Sequence, residues 1–495
     1  MPKQADIALI MEGSYPYVLG GVSAWMHEMI QAFPQYQFVI IFLGSVPEDY
    51  PKGMQYKLPE NVVHFEKHFL FTDTEETNIM GKSGAENPLQ AVNFFHDFFP
   101  DQDWQKIIES YPDLDFAFNF RTKQNFEQFF ASKKSWDFTV ATYQKYCTAP
   151  SFISYFWTLL SLQKPLWRLI NIMPSSLKVK AVHTISTGYA GLLGALLHFH
   201  LKIPLLLTEH GIYTKERRIE LLQSHIFTDM DPMQSGYLRG LWIRFFELLS
   251  RICYVGADPI LSLYSGARHQ QIEEGAEARK LQSIANGVNI NKYKIAREQR
   301  EQTTPMVVAL IGRIVPIKGT KNFIRAISTA TRQIPDIQAW IVGSADENPE
   351  YLHECQDLTK VFNLENNVTF MVGQHDPVKL FPKIGLLVLS SISEGMPLIL
   401  LEGFAAWIPA VTTNVGACPD LIIGVDKEDQ ALGKSGTVVN IADPQALANA
   451  IVELLTDTKK WKTAQQAAIS RVGNYYDQKQ MFNKYAKIYQ GILGY

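Results

Sequence analysis

The chain is poor in several things. Its four cysteines, Cys147, Cys253, Cys355 and Cys418, are scattered, with no C-x-x-C pair and no cysteine–histidine spacing. That argues against a disulfide framework or structural zinc site and fits a reducing compartment. Surplus charge is lacking too: Lys+Arg 46 against Asp+Glu 49 leaves −3, so no nucleic-acid partner is expected, since such a face needs excess basic charge. No uncharged apolar run reaches the roughly 18 residues of a transmembrane segment. The best candidate, 151–173 (SFISYFWTLLSLQKPLWRLINIM), is interrupted by Lys164, Pro165 and Arg168. It reads as a buried helix or helical hairpin, with contact at a membrane surface as the alternative. A signal peptide is not expected, because the apolar run 7–11 is too short before Glu12. The expected location is cytoplasmic. G-x-S-x-G and H-E-x-x-H motifs are absent, and Gly433–Lys434–Ser435 fails as a phosphate-binding loop because position 428 is Glu.

What remains is an ordinary globular composition, 46% hydrophobic and 19% charged over 495 residues. This length exceeds one core and suggests two or three domains. The opening reads as strand, turn, helix, strand: 7–11 (IALIM), a loop through Gly20 and Gly21, a stripe of Val22, Trp25, Met26, Met29, Ile30 and Phe33, then 38–43 (FVIIFL). The aromatic stretch 65–180 reads as a mostly helical insertion. The α/β rhythm resumes at 181–186, 204–208, 258–263 and 283–285. Beyond residue 300 it is regular, with strands at 307–311, 337–342, 368–372, 386–389, 410–412 and 437–439 separated by helices. Such alternation means parallel sheets. The expected fold class is α/β, with two Rossmann-like parallel-sheet domains facing a cleft. Residues 1–295, completed by a terminal helix 478–495, form the first, and 296–477 the second.

Ligands of open α/β sheets bind beyond the carboxyl ends of the strands, and four loops there carry candidate chemistry. Gly20 and Gly21 open a helix, whose first N–H groups can face an anion. His210 follows 204–208 (PLLLT) and could hydrogen-bond a substrate hydroxyl or leaving group. Arg313 and Lys318 lie on a loop before a helix, a combination suited to a diphosphate. Glu394 and Glu402 flank Gly395, Met396, Pro397 and Leu398 at another helix start. There one carboxylate could accept from sugar hydroxyls and the other clamp a ribose diol. Three D-x-D triplets, at 101–103, 113–115 and 229–231, follow no convincing strand and give no reason to invoke a metal.

The Glu394/Glu402 pair, Arg313 with Lys318, the Gly20–Gly21 loop and the Asn286–Gly287–Val288–Asn289 stretch together resemble the family-4 retaining glycosyltransferases of the GT-B fold. MEGSYPYVLGGVSAW at the start, LLTEHGIYTKER and the aromatic insertion resemble, more narrowly, the PelF-type enzymes of Pel exopolysaccharide synthesis. The resemblance implies a UDP-sugar donor, UDP-glucose first, a glycan acceptor, no cofactor or metal, and a front-face retaining mechanism. It also implies partnership with inner-membrane Pel synthase proteins. By the same resemblance Arg313 and Lys318 hold the diphosphate, Glu394 the donor sugar and Glu402 the ribose. Gly395, Met396, Pro397 and Leu398 line the donor. Gly20 and Gly21 approach the phosphates, and His210 sits near the anomeric carbon. A nucleotide-sugar-binding scaffold and a GT-B epimerase remain the alternative readings.

Overall fold

The computed structural model describes residues 4–72, 133–147, 150–172, 178–224, 230–300 and 303–494. The chain forms two compact units. Met1–Ser262, Arg268–Ser283 and Ile488–Tyr495 make the first, and Leu263–Ala267 with Ile284–Lys487 the second.

The first unit is built on seven strands, β1 (Gln4–Glu12), β2 (Phe38–Gly44), β3 (Val62–Phe69), β4 (Lys178–Thr184), β5 (Leu205–Glu209), β6 (Ile260–Ser262) and β7 (Leu281–Ser283). Their order is β3-β2-β1-β4-β5-β6-β7 and every pairing is parallel. Strands covered on both faces need unbroken apolar sequence, and β2 is buried along its whole length. The helix Gly21–Ala32 turns Trp25, Met26, Met29 and Ile30 into the core. The helix Tyr189–Leu201 packs against the sheet and against the 25-residue helix Pro232–Gly256. Gly191 permits this approach: a Cβ there would lie 2.7 Å from the Ser186 carbonyl and 3.0 Å from Cys253 Sγ. Phe152–Ile172 is one helix that contains Pro165, not a hairpin. No described helix is long and apolar enough to cross a membrane.

β3 places residues 65–69, expected within the helical insertion, in the sheet instead. Its sequence, VVHFEKHF, is half-buried and carries Glu66 between His64 and His68, as an edge strand tolerates. Most of that expected insertion, including two of the D-x-D triplets, lies outside the described residues.

The second unit has six parallel strands, β8 (Val307–Ile311), β9 (Gln338–Gly343), β10 (Val368–Val372), β11 (Leu386–Leu389), β12 (Ala410–Thr413) and β13 (Gly436–Val439), in the order β10-β9-β8-β11-β12-β13. Its core gathers Phe323, Ile324 and Ile327 from the helix Thr320–Ala330 with Leu447 and Ile451 from the helix Pro444–Thr456. In both sheets the order reverses beside the first strand, between β1 and β4 and between β8 and β11. The loops leaving those strands therefore diverge and open a crevice.

The last helix, Gln478–Leu493, starts in the second unit and ends in the first. Within the first, Tyr489 sits edge-on to Phe33 and Tyr36. Its hydroxyl bonds His183 Nδ1 at 2.9 Å, while His183 Nε2 meets Thr208 Oγ1 at 2.9 Å. All three side chains are buried. Tyr489→Phe strips one partner from a buried imidazole and is expected to cost about 1–3 kcal/mol, read as a lower melting temperature of the first unit.

Candidate active site

In the second unit, the loops after β8 and β11 meet at the switch point and are pinned together. Ile392 N–H donates to the Ile317 carbonyl at 2.8 Å, and Ser390 Oγ donates to the carbonyls of Lys318 (3.1 Å) and Gly319 (2.9 Å). Gly319 is left-handed, φ +67°, and a Cβ there would lie 2.0 Å from the Ser390 carbonyl oxygen. Only glycine fits that position.

This pinning sets Lys318 against Glu394. The ammonium donates to both carboxylate oxygens, at 2.7 and 2.9 Å, and Ser391 Oγ donates to Oε1 at 2.6 Å. The side chains are 23% and 9% exposed, so this pair is largely removed from water. Arg313 turns elsewhere, to Glu347 beyond β9, in a pair half-open to solvent. Lys318 and Glu394 are thus brought together, whereas the Arg313 side chain, on the same loop as Lys318, is paired with Glu347 instead.

The segment after Glu394 is held from two further directions. The Gly395 carbonyl accepts from Ala417 N–H at 2.8 Å, and Gly416 (φ +52°) lies so close that a Cβ would come within 2.2 Å of the Glu394 carbonyl oxygen. Met396 is buried, and its carbonyl accepts from Asn286 Nδ2 at 3.2 Å. Pro397 caps the helix Leu398–Ala405, whose first turn starts at Leu398. Glu402 is half-buried on that helix.

The first unit presents a different environment. Gly20 is extended (φ 174°), exposed, and has open space where a Cβ would stand. Neither strain nor crowding demands glycine there. Gly21, also exposed, begins the helix. His210 follows β5 and meets the Trp25 ring edge-on at 4.4 Å. Its Nε2 is buried without a hydrogen-bond partner among the described residues. Burial lowers the imidazoles of both His210 and His183 to about 3.

Next to His210, Glu209 is a fully covered carboxyl that sequence reading passed over. It accepts from Tyr254 Oη and Gln271 Nε2 at 2.8 Å each, Tyr213 N–H at 3.2 Å and Thr187 Oγ1 at 3.3 Å. Burial outweighs these donors and raises it to about 7. Glu12, at the end of β1, accepts from Tyr213 Oη (2.8 Å) and Ala190 N–H (3.0 Å). The signal available was a Glu closing each apolar strand.

The three buried groups make acid stability testable. The unfolded chain protonates His183 and His210 near 6.5 while the folded chain resists until about 3, so their stabilisation is lost as pH falls through that interval. Glu209 acts oppositely between 4.5 and about 7, where the folded state holds the proton. Two imidazoles oppose one carboxyl, so the melting temperature is expected to fall from pH 6.5 to 4.5. Glu209→Gln removes the opposing group and should steepen that fall. An unchanged slope in differential scanning fluorimetry would contradict this assignment.

Two parallel-sheet units in series, each with its crevice beside the first strand, define a GT-B fold of the glycosyltransferase type. The same fold is seen in Anabaena HepE in complex with UDP and glucose (TM-score 0.58, 15% identity, 98% of this chain and 100% of that one). It is seen also in sucrose-phosphate synthase from Thermosynechococcus elongatus (TM-score 0.59, 17% identity, 99% of both). Residues 5–279 match the family described as "Domain of unknown function (DUF3492)" and residues 291–471 match "Glycosyl transferases group 1". The chain belongs to the DUF3492 family and carries a group 1 glycosyltransferase domain after it. It is similar to the capsular polysaccharide biosynthesis glycosyltransferase CapM of Staphylococcus aureus, 21% identical over 54% of this chain and 72% of that protein. It is also similar to the D-inositol 3-phosphate glycosyltransferase of Corynebacterium urealyticum, 25% identical over 42% of this chain and 51% of the relative.

Proposed function

We propose that the chain is a retaining glycosyltransferase that moves glucose, or a related hexose, from a UDP-sugar to a growing exopolysaccharide. The observation that carries this reading is the sheltered Lys318–Glu394 pair at the switch point of the second sheet, four residues before the start of a helix and on loops that also carry Arg313. Leaving-group departure puts negative charge on the diphosphate, and fixed cations in a partly dry crevice stabilise it far better than water does. Lys318 and Arg313 supply those cations. Glu394 takes the sugar hydroxyls and Glu402 the ribose diol, while the backbone from Gly395 to Leu398 borders the donor. Because protein cations meet the diphosphate charge, the reaction proceeds with no metal or cofactor. The part assigned to Gly20 and Gly21 is a backbone approach to a phosphate at the start of the helix Gly21–Ala32. His210, neutral near pH 7, acts as a hydrogen-bond partner at the reacting hydroxyl.

The structural likeness to HepE in complex with UDP and glucose supports a UDP-linked donor, and the match to CapM supports a polysaccharide product. The acceptor would be the glycan of a Pel-type pathway, with inner-membrane synthase proteins as partners in the cytoplasm. The test is a panel of UDP-sugars assayed for UDP release, with the product's anomeric configuration read by NMR. UDP-glucose should release UDP and give an α-linked product. Release of UDP without a glycoside, or an inverted linkage, would overturn this reading.

A further inference from the structure

The first sheet reverses its order between β1 and β4, and Glu12, the last residue of β1, meets the segment that follows β4. Its Oε2 accepts from Ala190 N–H at 3.0 Å and from Ser186 Oγ at 3.4 Å. Its Oε1 accepts from Tyr213 Oη at 2.8 Å. The Tyr213 ring lies so close to the backbone after β4 that a Cβ on Gly188 would come within 2.2 Å of Tyr213 Cζ. The carboxylate is therefore held from two sides, yet Glu12 is only half-buried. A carboxylate has about four lone-pair positions. Three are filled here, and the open one is on Oε1.

Two polar atoms near this carboxylate have no hydrogen-bond partner among the described residues. The Tyr189 hydroxyl is buried and unpartnered, and the charges acting on it are those of Glu12 and Arg217. Arg217 lies over the Tyr213 ring, 5.1 Å from its centre, and pairs with Glu220 through Nη1 at 2.8 Å, but its Nε is buried and unpartnered. A phenylalanine at 189 would keep the ring contacts with Phe71, Phe245 and Phe246 and avoid the cost of an unpaired buried hydroxyl. Packing thus gives no reason for the oxygen, and a ligand that supplies its partner does. The donor set selects that ligand. A carboxylate oxygen with room for one donor, beside an O–H and an N–H without acceptors, suits neighbouring hydroxyls, which donate and accept at once. A phosphate or uronate would meet the Glu12 charge. An apolar group would leave Tyr189 and Arg217 unsatisfied.

We propose that Glu12, Tyr189 and Arg217 bind a diol of an uncharged sugar at the switch point of the first sheet, and that this sugar is the acceptor. Glu12 takes the proton of one hydroxyl in a hydrogen bond, and Tyr189 and Arg217 donate to the oxygens. The acceptor role rests on the proposed transfer reaction, whereas the sugar site stands on the first unit alone.

The test is saturation-transfer NMR titration of the full chain with methyl glucoside, methyl galactoside, methyl N-acetylglucosaminide and methyl glucuronide. UDP release from UDP-glucose is then measured against the glycoside that binds best. The wild type should bind a neutral glycoside in preference to the glucuronide. Tyr189→Phe should weaken that binding and raise the acceptor KM by about three- to tenfold, while melting at or above the wild-type temperature. A purely structural hydroxyl would move neither binding nor KM. Glu12→Gln keeps the side chain's shape and should weaken binding by on the order of tenfold or more, because hydrogen bonds to a charged group are the stronger kind. The inference fails if the wild type binds none of the neutral glycosides, if it prefers the glucuronide, or if Tyr189→Phe binds as well as the wild type. Glycoside binding that is lost in both variants, with no UDP released from any UDP-sugar, would keep the sugar site and overturn the transferase reading instead.

Discussion

A Lys318→Ala variant is expected to turn over UDP-sugar about 10²–10³ times more slowly, the usual cost of removing one donor to a developing oxyanion. Two of the three ammonium N–H bonds point at Glu394, and in the proposed reading the third serves a phosphate oxygen. The alanine variant also leaves Glu394, 9% exposed, with Ser391 as its remaining donor. Lost activity could then reflect a stranded carboxylate. Lys318→Met/Glu394→Gln separates the two effects. It removes both charges, should melt near the wild-type temperature, and should stay inactive. Glu394→Gln alone should lower turnover yet bind UDP more tightly, because a negative charge has left the diphosphate's surroundings. Steady-state kinetics and titration calorimetry read both quantities. Wild-type turnover in Lys318→Ala would remove Lys318 from the chemistry.

The largest effect on stability belongs to Arg471. Its guanidinium is fully buried on the helix Thr458–Tyr475. Nε donates to Asp429 Oδ1 at 2.6 Å. The other nitrogens reach the carbonyls of Ile422 (3.0 Å), Asp429 (3.0 Å) and Gly433 (2.8 Å), together with Ser435 Oγ. One side chain thereby gathers the whole loop leading into β13. Breaking a buried pair by deleting one partner costs about 3–5 kcal/mol, because the other charge is left uncompensated. Arg471→Ala should lower the second unit's melting temperature by on the order of 10 °C. Arg471→Lys should recover little, since a single ammonium lacks the planar fork that reaches these acceptors. Calorimetry checks this. A loss below about 1 kcal/mol would mean that water replaces the guanidinium.

The strands of the second unit were the most legible, since 307–311, 368–372 and 386–389 are short apolar runs between turns, and the structure places β8, β10 and β11 on those same residues. β3 was not legible, because Glu66, Lys67 and the histidines hide an edge strand behind a surface-like sequence. The helix Pro232–Gly256 was passed over for a related reason. Gly236, Gly240 and five aromatics blur its stripe, although it packs its length against the core. At the candidate site, residue types and loops could be read, but partners could not. That Lys318 pairs with Glu394 rather than Arg313 doing so depends on β8 lying beside β11, a fact of topology. Glu347, Asn286 and Asp429 come from distant segments, and periodicity carries no information about them.

The chain passes between its two units more than once, because the last helix returns to the first. Neither unit is therefore a continuous stretch of sequence. A fragment ending at residue 283 would carry all seven strands but lack Tyr489, the hydroxyl that closes the buried contact with His183. Dissecting this protein into separately expressed halves thus calls for supplying residues 478–494 in trans or by circular permutation, rather than for a single cut.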